Sequence, residues 1–418
     1  MKPYRLRVID SELAELREVL GAILIEGPKA VGKTASATQA AKTVFRMDLD
    51  RNARALLDVN PTQLFNSPTP ILFDEWQETP DLWDQVRHAV DDHAGKGLYL
   101  LTGSSRPRDN ARMHSGAGRI GRLRMRPMSL FESGHSSGEV SLAALLSGKP
   151  IAGGAPATTT IPELIERIVI GGWPETIELP ENRARIWLAA YLRNAAEIDV
   201  PALGTRRNPT YIMRLLASLG RVVGGTINHS TTAVEVGGAS GPIDDRTLTK
   251  YLAALDRLML TEPLPAWQPH MRSRTRLRTK PVHHFVDPSI GTAALGVSSA
   301  DLLRDLGAAG LHFESLILRD LRVYGQALGA TLSSWRDSRH GSEVDAILEL
   351  PDGRWAGFEF KLGETQADTA ADSLLRMASK IDTDTHGPPA ALIIVTGGRF
   401  SYRRPDGVTV VPITSLGP

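Results

Sequence analysis

Short apolar runs alternate with amphipathic stretches along the first 130 residues of the chain. Residues 11–20 have the spacing of an amphipathic helix, with Ser11 as its predicted cap, and residues 33–45 predict a second helix. Apolar runs predict strands at 22–27, 46–50, 70–75, 97–105 and 118–125. Because strands and helices alternate, we expect an α/β fold with a parallel sheet covered by helices on both faces.

The pattern changes after residue 133, where a Gly- and Ser-rich segment, 134–160, predicts a link out of the first domain. Residues 161–200 predict helices interrupted by GGWPE. Residues 209–268 predict helix, loop, helix and strand-like ends, with Asp244 or Asp245 as a helix cap. The helix FESLILRDLRVYGQAL then precedes the predicted strands TLSSWRD, EVDAILEL, WAGFEFKL, ALIIVTG and VTVVPI. We therefore predict three regions, at 1–150, 161–290 and 300–418.

Composition narrows the classes of protein to consider. The chain has 418 residues, a hydrophobic fraction of 42% and a formal net charge of +1, so any contact with nucleic acid would come from local basic patches. The absence of cysteine excludes disulfides, Cys-ligated zinc and thiol catalysis. No apolar segment follows the basic N-terminus, and no apolar run reaches membrane-spanning length, so we expect a cytoplasmic protein without a membrane partner.

The segment GPKAVGKT has the P-loop pattern G-x-x-x-x-G-K-[ST] and lies between a predicted strand and a predicted helix. Glycines permit the turn that aims backbone amides at phosphates, the lysine reaches the outer phosphates, and the threonine hydroxyl holds magnesium. A chance glycine-lysine turn is the alternative. The predicted ATP cradle consists of Gly27, Pro28, Lys29, Ala30, Val31, Gly32, Lys33 and Thr34.

Two acidic residues follow the predicted strand ILF, at the end of the strand where parallel sheets bind ligands. We expect Asp74 to bind magnesium through water and Glu75 to polarise the attacking water, although Glu75 also fits a surface carboxylate at a strand end. In LLTGSS, Ser104 follows the fourth predicted strand and is a candidate contact for the outer phosphate or the water. A serine in a turn explains it equally well.

The segment HSGAGRIGRLRMRP is rich in arginine. Arg119 is a candidate arginine finger, a side chain that stabilises the transition state in its own subunit or from a neighbouring one. The alternation of Arg122, Arg124 and Arg126 also fits a strand with one solvated basic face.

Five segments, taken together and in order, resemble the prokaryotic AAA-type ATPases that carry a C-terminal domain of uncharacterised function. They are EGPKAVGKT, ILFDEWQE, LTGSS, SGAGRIGRLRMRPMSLFE and GGWPE, and the resemblance covers nearly the whole chain. It implies binding and hydrolysis of ATP with Mg²⁺, a winged-helix-like middle region and a restriction-endonuclease-like final domain. It does not supply a substrate. Pro28 and Val31 depart from the common P-loop residues, at positions that contribute backbone only.

The final region contains Asp345 and then Glu359-Phe360-Lys361 after a Pro-Asp-Gly turn, which matches the PD-(D/E)xK nuclease pattern. Residues two apart on a strand face the same side, so Glu359 and Lys361 should point together, with Asp345 on the partner strand. Two carboxylates would hold Mg²⁺ or Mn²⁺, Lys361 would position a water, and Glu314 on the preceding helix resembles the helical acid of such nucleases. An exposed strand with neighbouring charges, or a nuclease-like fold without catalysis, is the alternative.

Two further features bear on nucleic acid. The stretch 247–260 is a predicted recognition-type helix with Lys250 and Arg257 outward, and residues 271–280 form a basic strip that would neutralise phosphates or be an ordinary solvated hairpin. His283 and His284 are better explained as strand residues than as metal ligands, because no third ligand is spaced nearby.

Two functions remain in competition. The first is an ATPase that acts on DNA or RNA, with a metal-dependent nuclease site in the last region. The second is an ATP-controlled switch whose last region is a catalytically silent docking module. A small-molecule phosphotransferase fits less well with the chain length and the arginine-rich strand. The oligomeric state, including a homo-oligomer, is left open.

Overall fold

A computed structural model describes residues 3–93, 95–104, 116–149, 156–203, 208–267, 280–337 and 342–418. The chain divides into two compact units. The first comprises Met1–Arg126 with Arg257–Met259, and the second comprises Pro127–Asp256 with Leu260–Pro418. The three-region division predicted from the sequence stays a prediction.

The first unit alternates helices and strands. Its strands are β1 (Ala22–Glu26), β2 (Thr43–Arg46), β3 (Ile71–Asp74), β4 (Tyr99–Gly103) and β5 (Ile120–Arg124). Its helices are α1 (Ile9–Val19), α2 (Lys33–Ala40), α3 (Arg51–Val59), α4 (Pro61–Phe65) and α5 (Leu82–Asp92).

The five strands form a parallel sheet in the order β2-β3-β4-β1-β5. All residues of the central strands β1, β3 and β4 are buried, as expected for a sheet covered on both faces. The core on one side includes Phe73, Trp76, Trp83 and Tyr99. This confirms the predicted α/β class and the parallel sheet. Because all strands run the same way, their carboxyl ends, with the P-loop and Asp74, share one edge.

Three local predictions for this unit are wrong. The second strand is Thr43–Arg46, not 46–50, and α2 ends at Ala40. The β-branched and aromatic residues of TVF favour a strand that pairs with β3, and this pairing overrides the helical pattern. Ser11 lies inside α1 and donates to the Val8 carbonyl, so it is not the cap.

The second unit begins with short elements and then becomes mainly helical. Its first elements are α6 (Leu130–Ser133), β6 (Val140–Ser141) and α7 (Leu142–Leu146). The following helices are α8 (Ile161–Ile170), α9 (Glu181–Asn194), α10 (Val200–Ala202), α11 (Pro209–Arg221), α12 (His229–Gly237), α13 (Asp245–Arg257), α14 (Pro288–Leu295), α15 (Ser299–Arg304) and α16 (Leu306–Gln326). Asp244 accepts a hydrogen bond from the Thr247 amide at 2.9 Å, as predicted for a cap of α13. The segment predicted as a link contains, in its described part, the helix α7 and the strand β6, which pairs with β13 (Leu416–Gly417).

A mixed six-stranded sheet completes the second unit. Its members are β7 (Thr331–Asp337), β8 (Ser342–Glu349), β9 (Trp355–Lys361), β10 (Ala391–Thr396), β11 (Tyr402–Arg403) and β12 (Thr409–Pro412). Their order is β11-β12-β10-β9-β8-β7, with β9, β10 and β12 parallel and the remaining pairs antiparallel. Helix α17 (Ala367–Ala378) packs on this sheet, and α18 (Thr383–His386) follows it. The strands predicted at this end of the chain are confirmed.

Two sequence segments of the second unit, PMSL at 127–130 and GGWPE at 171–175, meet in a buried polar clasp. The fully buried Arg319 on α16 bonds Asp287 and Asp320 at 3.0 and 2.9 Å. Asp287 also accepts from the Gly172 amide, and Asp320 accepts from the Leu130 amide. Because Arg319 has two carboxylate partners and each carboxylate also accepts from a backbone amide, the clasp ties distant parts of the second unit together.

In the described part of the chain, no helix combines the length and apolarity needed to cross a bilayer.

Candidate nucleotide site and carboxyl-terminal ion cluster

The loop Gly27–Gly32 joins the end of β1 to the start of α2. Ala30 and Gly32 have left-handed backbone angles, with φ of 65° and 98°. A Cβ on Gly27 would lie 2.2 Å from the Met125 carbonyl oxygen, so only glycine fits there. The loop therefore passes close to Met125, the residue directly after β5. It presents the amino end of α2, where backbone amides favour a phosphate.

Lys33 is buried, and its Nζ donates to the carbonyls of Gly27 and Pro28 at 3.0 and 2.9 Å. Burial lowers the pKa of Lys33 to about 8, while the charges of Glu75 and Asp74 oppose this shift. The ammonium is thus held inside the loop by weak neutral acceptors. A phosphate bound there would supply a far stronger partner.

The acid after β3 meets the threonine of the loop. Thr34 Oγ1 donates to Asp74 Oδ1 at 2.7 Å, and Thr102 Oγ1 donates to the same oxygen. Asp74 and Thr102 are both buried. A hydroxyl and a carboxylate oxygen in contact are the ligand types that magnesium prefers, so these residues fit a magnesium site.

Glu75 directly follows β3 and has a left-handed backbone with φ of 53°. Its Oε2 accepts hydrogen bonds from Ser104 Oγ, at 3.2 Å, and from Gln77 Nε2. Its own amide donates to Thr102 Oγ1 at 3.2 Å. The structure therefore brings together Glu75 and Ser104, which the sequence had placed separately.

Arg119 lies at the opposite edge of the sheet from the P-loop. It precedes β5, and its carbonyl accepts from the amide of Ala22, the first residue of β1. The length of β1, roughly 15 Å, therefore separates Arg119 from the loop. Its side chain bonds Asp91 at 2.6 Å on α5. The structure thus holds Arg119 away from the P-loop of its own chain, and its role as an arginine finger, in cis or in trans, stays a prediction.

Three residues of this site were not singled out from the sequence. Thr102 and Gln77 contact the two acids, and Arg7 donates to the Val31 carbonyl in the P-loop at 2.9 Å. Thr102 directly precedes GSS at the end of an apolar strand, so its position carried a signal. Arg7 carried none, because its contact depends on a chain reversal 24 residues long.

At the other end of the chain, Asp345, Glu359 and Lys361 do converge. Lys361 Nζ lies 2.7 Å from Glu359 Oε2 and 3.8 Å from Asp345 Oδ2, and Asp345 also accepts from the Phe360 amide at 2.7 Å. Residues Ala346 and Phe358 pair across β8 and β9, which places Asp345 opposite Glu359 on one face. The predicted shared orientation of Glu359 and Lys361 is therefore seen.

The acids of this ion cluster raise one another's proton affinity. Burial, with the nearby charge of Asp345, raises the pKa of Glu314 to about 8. Burial and Asp345 likewise raise the pKa of Glu359 to about 7. The charge of Asp345 therefore acts on Glu314 of α16, whose predicted role in the site stays a prediction.

The cluster is closed by Lys361. Within the described residues, no group of three or more Asp, Glu or His side chains is arranged to hold a metal ion. As placed, Glu314, Asp345 and Glu359 thus do not form the predicted metal-ligand set, because the ammonium occupies the position between two of the carboxylates.

The other candidate nucleic-acid features are only partly covered. Lys250 is exposed on α13, as predicted. Residues 271–279 of the basic strip lie outside the described residues. His283 and His284 are buried beside short bridges that pair Thr261 with Phe285 and Leu264 with Val282.

Three family models match successive parts of the chain. Residues 21–133 match an AAA domain. Residues 161–301 match a domain of unknown function, DUF8612, and residues 309–416 match another, DUF4143.

Among known proteins, the chain is similar to the uncharacterized protein Rv2008c of Mycobacterium tuberculosis and to Mb2031c of Mycobacterium bovis. Each is 24% identical over 407 residues, which cover 94% of this chain and 80% of the relative.

Two solved structures show weaker likeness. The Walker-type ATPase PABY2304 of Pyrococcus abyssi aligns with a TM-score of 0.41 at 15% identity, over 68% of this chain and 94% of the other. A mutant RuvB of Thermotoga maritima aligns with a TM-score of 0.26 at 16% identity, over 62% and 88%. With scores this low, neither likeness supports a conclusion about this chain.

The matched AAA span contains the P-loop, the acids after β3 and the parallel sheet that positions them. The chain therefore carries an ATP-binding, AAA-type P-loop ATPase domain at its amino end, followed by regions that match two families of unknown function.

Proposed function

We propose that the first unit hydrolyses ATP with magnesium at the edge of the sheet formed by the P-loop, Asp74 and Glu75. The observation that carries this is the 2.7 Å hydrogen bond between Thr34 and Asp74, because it joins the two predicted magnesium ligands. Bound magnesium would neutralise charge on the phosphates.

The residues divide the work between binding and turnover. The loop amides and Lys33 bind the phosphates, and Thr34 with Asp74 holds the metal. Glu75 orients the attacking water and accepts its proton, while Ser104 keeps the carboxylate in place through its 3.2 Å bond. Arg119 would act only from a neighbouring subunit. The test is to mix Arg119→Ala protein with Lys33→Ala protein, and restored ATP turnover in the mixture would support this role.

Two variants separate these roles. Lys33→Ala should lose tight ATP binding because the outer phosphates lose their cationic partner. Glu75→Gln should bind ATP as the parent does and release phosphate at least 100-fold more slowly, about the effect of losing a general base. Equilibrium nucleotide binding and phosphate release are measured side by side. If Glu75→Gln hydrolyses ATP at the parental rate, the role of Glu75 is wrong.

For the second unit we propose two candidate functions. A role on DNA or RNA is supported by the convergence of Asp345, Glu359 and Lys361, which matches the nuclease pattern. The closed ion pairs of Lys361 favour the second candidate, in which ATP controls the engagement of a partner by a catalytically silent domain. The winged-helix role of α11 to α13 belongs to either candidate.

Manganese titration distinguishes the two candidates. If the site is a nuclease, the parent should bind Mn²⁺ and then cleave single- or double-stranded DNA or RNA. The Asp345→Asn variant should neither bind Mn²⁺ nor cleave. In that variant the cluster keeps its size but loses a charge. Asp352→Asn, an exposed carboxylate in the turn before β9, is the matched control. Absence of manganese binding and of cleavage in the parent would support the silent module.

A further inference from the structure

The amino-terminal segment before α1 lies against the P-loop. Arg7 is buried, and its two terminal nitrogens donate to main-chain carbonyls, Nη1 to Val31 at 2.9 Å and Nη2 to Arg126 at 2.7 Å. One guanidinium therefore joins the P-loop to the chain that leaves β5.

The bond to Val31 fixes the orientation of one peptide unit. In a trans peptide the C=O and the following N–H point in opposite directions. Because Arg7 holds the Val31 carbonyl, the Gly32 amide faces away from Arg7. Ala30 and Gly32, the neighbours of Val31 in the chain, have left-handed backbone angles. The orientation of the Val31–Gly32 peptide is therefore not set by an ordinary helix or strand.

A charged donor on this carbonyl also strengthens the amide on its other side. Hydrogen bonds to charged groups are stronger than neutral ones, and a polarised peptide donates more strongly through its N–H. The effect would be felt by an anion bound at the amino end of α2.

The segment itself is anchored to α2. The Arg7 amide donates to Asp10 at 2.8 Å, Tyr4 donates to the same carboxylate at 2.8 Å, and the Tyr4 hydroxyl lies 2.8 Å from Ser36 Oγ. Tyr4, Arg7 and Asp10 lie before residue 21, where the matched AAA domain begins. The contact is therefore supplied by a part of the chain outside the matched span.

We propose that Arg7 is a positioning residue of the nucleotide site, which holds the peptide between Val31 and Gly32 so that the Gly32 amide binds a phosphate of ATP. This rests on ATP binding by the loop. The role belongs to phosphate binding in the ground state, so it should change KM rather than kcat.

The test compares Arg7→Gln with the parent for binding of ATP and of adenosine, and for kcat and KM. We expect ATP binding to weaken and KM to rise about tenfold, the size of one charge-assisted hydrogen bond, with adenosine binding and kcat unchanged. Arg7→Lys, which retains one cationic donor, should recover part of the loss. Leu6→Ala, at a neighbouring side chain that is 80% exposed, should behave as the parent.

Unchanged ATP affinity in a folded Arg7→Gln protein would overturn the proposal, as would an equal loss for ATP and adenosine. Thermal unfolding is measured on each variant. If Arg7→Gln does not fold, Arg7→Lys decides by the same comparison, with parental ATP affinity and KM counting against the role. A parent that binds no ATP would instead overturn the function proposed for the loop.

Discussion

At the scale of residues, the nucleotide site depends on side chains that hold the acids as much as on the acids themselves. Thr102 is fully buried, donates to Asp74 and accepts from the Glu75 amide. It therefore links the predicted metal ligand to the predicted base through one hydroxyl. A buried hydroxyl with two partners fixes both acids relative to the P-loop.

We expect Thr102→Val, which keeps the shape and removes the hydroxyl, to lower the rate of phosphate release about tenfold. The reason is the loss of about 1.4 kcal/mol of hydrogen bonding that holds both acids in place. ATP hydrolysis and ATP affinity are measured together. Thr38→Val, at an exposed position on α2, is the control and should leave turnover unchanged. A Thr102→Val rate equal to the parent would show that Asp74 and Glu75 are held by other contacts.

At the scale of elements, the second unit is joined by the clasp of Arg319, Asp287 and Asp320. At Gly172 two backbone segments lie in direct contact, because the Gly172 carbonyl accepts from the Met128 amide at 2.6 Å. A Cβ at Gly172 would lie 2.1 Å from the Met128 carbonyl oxygen. This explains on physical grounds why GGWPE contains glycine at this position.

Gly172→Ala should therefore destabilise the second unit by about 2 kcal/mol or more, because backbone must move to admit the methyl group. Gly310→Ala is the matched control. It lies within α16, with nothing within 4 Å of an added Cβ, and should be stabilising by about 1 kcal/mol through helix propensity. Urea unfolding measures both. Equal stability of the two variants would contradict this account of the clasp.

At the scale of the whole molecule, buried titratable groups make stability depend on pH in two directions. Burial lowers the pKa of His283 and of His312 to about 4, and burial with the charge of Arg322 lowers the pKa of His284 well below its usual value. These rings stay neutral when folded but take up protons when unfolded. Glu314 and Glu359, whose pKa values are raised, have the opposite effect.

The free energy of unfolding should therefore fall as pH drops from about 6.5 to 4, because the unfolded chain binds more protons there. Each histidine with a pKa near 4 contributes about 3 kcal/mol to this loss. Glu314 and Glu359 act in the opposite sense, because the unfolded chain ionises them near pH 4.5 while the folded chain holds their protons up to about pH 8 and 7, so their share of the stability falls as pH rises through this range. Urea unfolding at pH 5, 6.5 and 8 measures the free energy of unfolding across both pH ranges.

Glu314→Gln tests the fall in stability that Glu314 causes between pH about 4.5 and 8. Its stability relative to the parent should increase from pH 5 to pH 8, because the parent alone must ionise a buried carboxyl over this range. A constant difference between the two proteins would contradict the raised pKa of Glu314.

The sequence by itself determined the features that depend on neighbours along the chain. The P-loop, the acids after ILF and the strands near the carboxyl end are local, since the spacing of glycines and the alternation of apolar residues act over a few positions. The convergence of Glu359 and Lys361 also followed from strand alternation alone.

Only the tertiary structure decided which distant groups meet. Pairing with β3 moved the second strand to Thr43–Arg46, and the parallel register of β5 with β1 placed Arg119 at the edge away from the P-loop. Arg7 reached Val31, and Lys361 approached Asp345 on the partner strand, through contacts that no local spacing specifies. The physical reason is that buried polar groups must find partners wherever the packed chain brings them, and those partners are distant in sequence.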